Sequence, residues 1–242
     1  MKKHCIFLLV MHAITALIIA ATVCSCGQGY AHITYDSDYT AEIKLDTVNG
    51  KKGIVLYFES LPSELTVPRR VQGYDVIRLK FADATDYAKV SSITMGDGIM
   101  AIDSLQGFTS LTDVVFPRSL VSFPVCKGCT RLASADVPDG VNQLSAETFS
   151  GCTALTEVTL GSGITEIGAQ AFLGCTSLKT LNCTSQTPPT VAADAFVSAA
   201  TSSATDLRSR ITLHVTQSAL DAYQNDDYWK EFNFEESEDD DA

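Results

Sequence analysis

From Val90 onward the apolar residues fall into one recurring order: an apolar residue, two skipped positions, then apolar, any, apolar. The units read Val90/Ile93/Met95, Leu111/Val114/Phe116, Leu132/Ala135/Val137, Leu155/Val158/Leu160 and Leu178/Leu181/Cys183. Each is the alternation of a short strand with one buried side. A turn follows, carrying proline in Phe116-Pro117 and Val137-Pro138 and glycine at Gly96 and Gly161. A second apolar pair comes next, Ile99/Ile102, Leu120/Phe123, Val141/Leu144 and Ile164/Ile167. The unit closes on a brief helical or turn piece holding one large residue, as at Phe149 and Phe172. The corner Gly107-Phe108-Thr109-Ser110-Leu111 then returns as Gly128-Cys129-Thr130-Arg131-Leu132, Gly151-Cys152-Thr153-Ala154-Leu155 and Gly174-Cys175-Thr176-Ser177-Leu178, its glycines 21, 23 and 23 residues apart. A period in the twenties with apolar residues fixed inside it specifies a solenoid, in which each turn buries a strip against the next.

The pattern ahead of the repeats is different. Tyr39, Ala41, Ile43 and Leu45 alternate with Thr40, Glu42 and Lys44, which predicts a strand with one wet side. Asn49-Gly50 and the apolar run Ile54-Val55-Leu56-Tyr57-Phe58 complete a β-hairpin. Two short extended pieces follow, Leu65-Thr66-Val67-Pro68 and, after a turn at Gln72-Gly73, Val76-Ile77-Arg78-Leu79. A solenoid exposes apolar surface and strand edges at an uncovered end, so this segment is expected to be the N-terminal cap.

The first residues have the layout of an export signal: a basic head of Lys2, Lys3 and His4, an apolar run from Cys5 to Val23, then small residues. The alternative is a membrane-spanning anchor, for which about 20 apolar residues suffice. Processing is favoured by Val23-Cys24-Ser25-Cys26-Gly27, which resembles a bacterial lipobox. Cys26 is preferred to Cys24 as the lipidated residue, because Ser25 is small and Val23 would sit poorly beside the cut. Membership of the membrane would then come through a lipid anchor. The chain accordingly divides into a lipoprotein signal peptide at 1–25, a tether at 26–38, a β-rich cap at 39–89, repeats at 90–197, an insertion and C-terminal cap at 198–234, and an acidic tail at 235–242.

Charge narrows the partners. Acidic residues number 29 against 17 basic ones, and loss of Lys2 and Lys3 with the leader leaves 15, a net charge near −14. That balance repels phosphate backbones and argues against nucleic acid. The run from Glu235 to Asp241 reads as a self-repelling tail rather than a calcium site. Of eight cysteines, Cys5, Cys24 and Cys26 belong to the leader and lipobox. Cys126, Cys129, Cys152, Cys175 and Cys183 remain, an odd number, and three of them repeat in register, which predicts buried apolar thiols.

Little in the chain points to chemistry. Cys126-Lys127-Gly128-Cys129 has the spacing of a redox pair or half a zinc site. In register, however, Cys129 falls where Cys152 and Cys175 fall and Cys126 where Phe149 and Phe172 fall, so both should face the core. After the leader only His32 and His214 are left, far apart, with no phosphate-binding glycine loop and no His-Glu-x-x-His. No cofactor, metal site or catalytic residue is expected. Binding is the more natural use of stacked strands, and the outward positions of the first strand are Ser92 and Thr94, Asp113 and Val115, Ser134 and Asp136, Glu157 and Thr159, Thr180 and Asn182. That face is small, polar and mildly acidic, without the Trp, Tyr and Arg that dominate binding hot spots. Aromatic anchors would have to come from Tyr35, Tyr39, Tyr74 and Tyr87 near the cap, where packing is the simpler role.

Leu-x-x-Val-x-Leu, then Gly-x-Ile-x-x-Ile-Gly, then Ala-Phe-x-Gly-Cys-x-x-Leu, as in Leu155 through Leu178, closely resembles the BspA-like leucine-rich repeat family of bacterial surface proteins. Val67-Pro68 through Gly73-Tyr74-Asp75-Val76 is similar to a lead-in of that family, and Ile211 to Val215 with Ala219 to Phe232 to its closing strand and tryptophan-bearing helix. The resemblance spans roughly 60–234, departing in two units shortened to 21 residues and in the insertion 198–210. It implies a β-rich (α+β) leucine-rich-repeat solenoid of short strands and short helical or turn segments, with a β N-terminal cap and a strand-helix C-terminal cap. It also implies a non-catalytic cell-surface or outer-membrane lipoprotein that binds a protein or other macromolecule, as the family's adhesins bind host or matrix proteins. The alternative is a structural or accessory subunit with a partner from the same cell.

Overall fold

The computed structural model describes residues 19–20, 31–35, 39–71, 73–81, 86–199 and 204–236. The N-terminal part is a mainly antiparallel sheet of β1 (Ile19–Ala20), β2 (Ala31–Tyr35), β3 (Tyr39–Val48) and β4 (Lys51–Phe58). The β3–β4 hairpin turns at Asn49 and Gly50, both in the left-handed region with φ of 48° and 77°, which is the conformation the Asn-Gly pair accommodates. After β5 (Glu64–Val67) and the short β6 (Arg70–Val71), β7 (Tyr74–Lys80) runs parallel to β4 and joins the cap to the repeats. β2 lies within the stretch expected to be a tether, paired to β3 from Ala31↔Ile43 to Tyr35↔Tyr39. Its alternating Ala-His-Ile-Thr-Tyr sequence is suited to a strand. Leu45, expected to point inward with Ile43, is instead 74% exposed. Among the described residues the register of β2 on β3 ends at Ile43, short of Leu45.

The rest is a succession of short strands and turns repeated along one axis. Eight first strands stack side by side: β5, β8 (Ser92–Met95), β10 (Asp113–Val115), β11 (Ser134–Val137), β13 (Glu157–Leu160), β15 (Thr180–Cys183), β17 (Thr212–Val215) and β18 (Asn233–Glu236). Those that pair do so in parallel. A second ladder is made by β7 with β9 (Ala101–Ile102), and by β12 (Gln143–Leu144), β14 (Glu166–Ile167) and β16 (Thr190–Val191). The insertion at 198–210 does not disturb the stack: it folds back through Ser198 N–H to Thr205 O, and β17 takes up the same register on β15 that β15 holds on β13.

Each turn is organised around the glycine corner. Gly107, Gly128, Gly151 and Gly174 hold φ between 73° and 86°, where a Cβ is strained. Behind the last three corners a cysteine thiol donates to the preceding turn: Cys129 to Leu105 O at 3.2 Å, Cys152 to Cys126 O at 3.2 Å, Cys175 to Phe149 O at 3.1 Å. The thiols are thus hydrogen-bonded rungs as well as small apolar fillers. Threonines do similar work at the strand entries, Thr112, Thr156, Thr165 and Thr190 donating to Ser91, Ala133, Asn142 and Thr165 carbonyls at 3.0–3.1 Å. Each of these carbonyls also accepts a backbone N–H, so the side chains fill its second lone pair in the narrow space between turns.

The inward positions form a continuous core from Ala41 to Phe232. Phe149, Phe172 and Phe196 stack down its axis, with ring centroids 5.4 and 4.5 Å apart. Each such side chain contributes about 1.5–3 kcal/mol through its burial. In the turn 111–131 Cys126 occupies the phenylalanine slot, as the register requires, and the volume is made up from elsewhere. Phe123, where neighbouring turns carry Ile102 and Leu144, reaches across to Phe149 at 5.5 Å. The C-terminal cap is a short helix, α1 (Leu220–Gln224), and a single 3-10 turn at Trp229–Glu231. Trp229 packs on Phe232 at 5.2 Å and its Nε1 donates to Pro189 O at 2.8 Å, pinning the cap to the last full turn. β18 carries the ladder two residues into the stretch expected to be tail, its Phe234 opposite Leu213.

Candidate binding face

The burial alternation of the first strands sets out two parallel rows. In β5 and β11 it is exposed, buried, exposed, buried, and in β15 and β17 half-buried, buried, half-buried, buried. Register then decides which residues become neighbours, about 4.8 Å apart from strand to strand. Ser92 stands beside Asp113, and Thr94 beside Val115. Further along, Ser134, Glu157 and Thr180 form one row and Asp136, Thr159 and Asn182 the other. All ten residues anticipated from the sequence lie on this face. Among the described residues, however, no pairing links β10 to β11, so the rows are interrupted between Asp113 and Ser134 and between Val115 and Asp136.

Both rows extend further than expected. Glu64 and Thr66 precede them on β5, and Thr212, His214, Asn233 and Glu235 continue them on β17 and β18. The signal that could have placed these residues is the same alternation, Leu65/Val67 at one end and Leu213/Val215 with Phe234 at the other. Five carboxylates, Glu64, Asp113, Asp136, Glu157 and Glu235, are therefore spread over the two rows, with neither Lys nor Arg among them. Asn182 Nδ2 bridges Glu157 Oε1 at 2.9 Å and Thr159 Oγ1 at 3.4 Å, tying the rows together. His214 Nε2 lies 3.8 Å from Glu235 Oε2. Val115 is the one large apolar residue in the rows and is 66% exposed.

Eight of the fifteen cations that follow the leader lie on the cap, and several have partners there. Lys44 Nζ lies 4.1 Å from the Tyr57 ring centroid, Arg78 Nε 3.5 Å from Asp46 and Lys80 Nζ 3.1 Å from Asp103. Of the tyrosines near the cap, Tyr87 packs against Phe108 at 4.9 Å between centroids, whereas Tyr74 is exposed. The side chains of Tyr35 and Tyr39, Cys26 with the rest of the lipobox, and the acidic run beyond Glu236 lie outside the described residues.

The thiols sit on the opposite side of the strands from this face. Cys126, Cys129, Cys152, Cys175 and Cys183 are all buried and free. Burial pushes the Cys175 thiol up to about 12 and raises those of Cys152 and Cys183. Cys126 is raised well above the ordinary thiol range, by its hydrogen bond with Cys129 and by burial. Thiols held in the neutral form lack the thiolate that redox exchange and metal binding require. The Cys-x-x-Cys pair is therefore core. No helix among the described residues is long and apolar enough to cross a membrane.

A sequence model described as the BspA type leucine rich repeat region matches residues 102–228 in six copies. No curated protein matches the chain. Among solved structures, the leucine-rich repeat protein of T. pallidum is 19% identical, with a TM-score of 0.49, over 62% of this chain and 70% of that one. A leucine-rich cell surface protein from Faecalibacterium prausnitzii is 24% identical with a TM-score of 0.47, over 60% of this chain and 39% of that one. A pneumococcal vaccine antigen is 13% identical with a TM-score of 0.47, over 80% of this chain and 48% of that one.

Proposed function

The chain belongs to the BspA-type leucine-rich repeat family, and from that premise we propose that it is a non-catalytic scaffold at the bacterial cell surface, held by a lipid on Cys26, whose first-strand face binds a protein. Stacked repeats of this kind present an extended, regular surface suited to interaction with macromolecules. The observation that carries the reading is the pair of outward rows: in-register, small and polar, with five carboxylates and no Lys or Arg. Such a surface suits a partner that presents basic residues at strand spacing and is held by many modest contacts rather than by one anchor. Host or extracellular-matrix proteins with basic segments are the partners this reading favours.

The test is capture of extracellular-matrix proteins by the full chain, run beside Asp113→Lys/Asp136→Lys/Glu157→Lys. Enrichment by the parent that falls about tenfold in the triple variant and weakens with rising salt supports the reading. Equal capture by both chains removes the face from the account. Crosslinking on intact cells separates a host ligand from a subunit partner of the same cell. Membrane fractionation of Cys26→Ser tests the anchor: the variant is expected to leave the membrane fraction, and retention there would count against lipidation at this residue.

A further inference from the structure

The turn at residues 111–131 differs from the turns at β8, β13 and β15 in how it is joined to its neighbours. In three other turns the residue after the first strand donates its N–H across to the preceding turn, Gly96 to Val67 O at 2.8 Å, Gly161 to Val137 O at 2.9 Å and Thr184 to Leu160 O at 3.1 Å. The equivalent residues on either side of β10 and β11 are Pro117 and Pro138, which have no N–H to give. They also need room. A Cβ placed on Gly96 would come within 2.5 Å of Arg69 N, and one on Gly161 within 2.6 Å of Asp139 N, so the glycine turns approach more closely than a proline permits.

The second ladder is weakened at the same turn, although Val121 N–H still donates to Met100 O at 3.0 Å. Gly168 N–H donates to Leu144 O and Ala192 N–H to Ile167 O, both at 2.9–3.0 Å, while the equivalent residue in this turn is Pro124. The outcome is visible in the pairing. β8 and β10 share three residue pairs where β11 and β13 share four, β10 and β11 are unpaired, and between β9 and β12 no second strand forms among the described residues. The aromatic column divides on the N-terminal side of this turn, into Phe58, Phe81, Phe108 and Tyr87 and into Phe116, Phe123, Phe149, Phe172 and Phe196, and Phe123 to Phe149 is the one ring contact carried across to the next turn.

One strip stays continuous. Along the glycine corners Leu105 N–H donates to Val125 O at 2.8 Å and Gly107 to Lys127 O at 3.1 Å. Cys126 then donates to Thr148 O at 2.6 Å and Gly128 to Ser150 O at 2.8 Å. Toward residues 132–154 neither strand side is paired among the described residues and the corner strip alone is hydrogen-bonded through, whereas toward the preceding turn the β8–β10 pairing and Val121 N–H to Met100 O at 3.0 Å remain. We propose that residues 111–131 form a joint, hinged on the glycine-corner strip, about which the N-terminal and C-terminal stacks rock as two rigid bodies. Hinge motion of this kind needs a few residues that absorb the change between bodies that stay packed. The joint crosses both outward rows, so rocking changes the separation of Val115 from Asp136.

Paired spin labels on the full chain test this directly, because the native thiols are buried and engineered cysteines on the face react selectively. Thr94→Cys/Asn182→Cys spans four strand intervals across the joint, and Asp136→Cys/Glu235→Cys spans four within the C-terminal stack, about 19 Å by strand spacing in each case. The expected result is a distance distribution at least about twice as broad for the first pair as for the second. Installing Pro117→Gly/Pro124→Ser/Pro138→Gly, which restores the three donors, narrows the first pair and leaves the second unchanged. Equal widths for the two pairs in the parent chain overturn the joint. So does a first pair that stays broad in a repaired chain with parent-like circular dichroism. If the repaired chain does not fold, the comparison within the parent decides alone.

Discussion

Gln170 occupies the left-handed region at φ 56°, in the turn position where Glu147 does the same at 59°. A non-glycine residue there carries about 1–2 kcal/mol of strain, against about 0.5–1 kcal/mol of extra chain entropy for glycine. Gln170→Gly is therefore expected to raise stability by about 0.5–1 kcal/mol in urea unfolding, where glycine ordinarily lowers it. Glu147 is the less clean site, because its carboxylate also pairs with Lys127 at 2.6 Å. Glycine and alanine reverse this order at Gly163, where a Cβ would meet Asp139 O at 2.1 Å. Gly163→Ala is expected to cost about 1–3 kcal/mol, measured the same way, since the clash is with backbone and cannot be relieved by a rotamer. The thiols set the alkaline limit. The folded-state pKa values of Cys126, Cys152, Cys175 and Cys183 lie above the unfolded value, so between about 9 and 12 the native chain holds more protons than the unfolded one. Stability is full below that window and declines as pH rises through it. Cys175→Val should flatten the fall of Tm between pH 9 and 11.

At the level of the strand and turn, periodicity was enough to position every first strand between β8 and β15, because each rests on three apolar residues at fixed offsets. Register also places the Cys-x-x-Cys motif in the core, since Cys126 and Cys129 fall on inward slots. What it could not show was an exchange of volume between two slots. Cys126 is too small for its position and Phe123 too large for its own, and the two compensate through a contact with Phe149 in the next turn. That compensation depends on where the rings meet, which no single-turn pattern records. Leu45 failed for a related reason: alternation says which side a residue is on, not whether a neighbouring strand extends far enough to cover it. β18 was missed because its only inward apolar anchor, Phe234, is set among acidic residues, and the ladder rather than the composition makes it a strand. The thiol hydrogen bonds were equally silent in the sequence, since they join residues 24–26 positions apart.

The molecule as a whole is a stack whose stability is close to a sum of neighbour contacts. Deleting one complete 23-residue unit, 132–154, removes the outer partner of β13 and leaves the remaining β13, β15 and β17 pairings intact. Such a chain is expected to fold with a lowered Tm rather than to collapse. A molten or aggregated product would show that turns of this stack cannot be treated as neighbour-only units. The proline-bearing turn makes the stack unequal along its length, and that inequality bears on force. A column of turns pulled from its two ends carries the same tension through every rung, and yields where the rungs are fewest. In a single-molecule extension experiment the first event is expected at residues 111–131, dividing the chain into two shorter columns before either unravels. A protein tethered at one end and gripped at the other would thus give way at a fixed place, as a fuse does, and keep the turns on both sides folded.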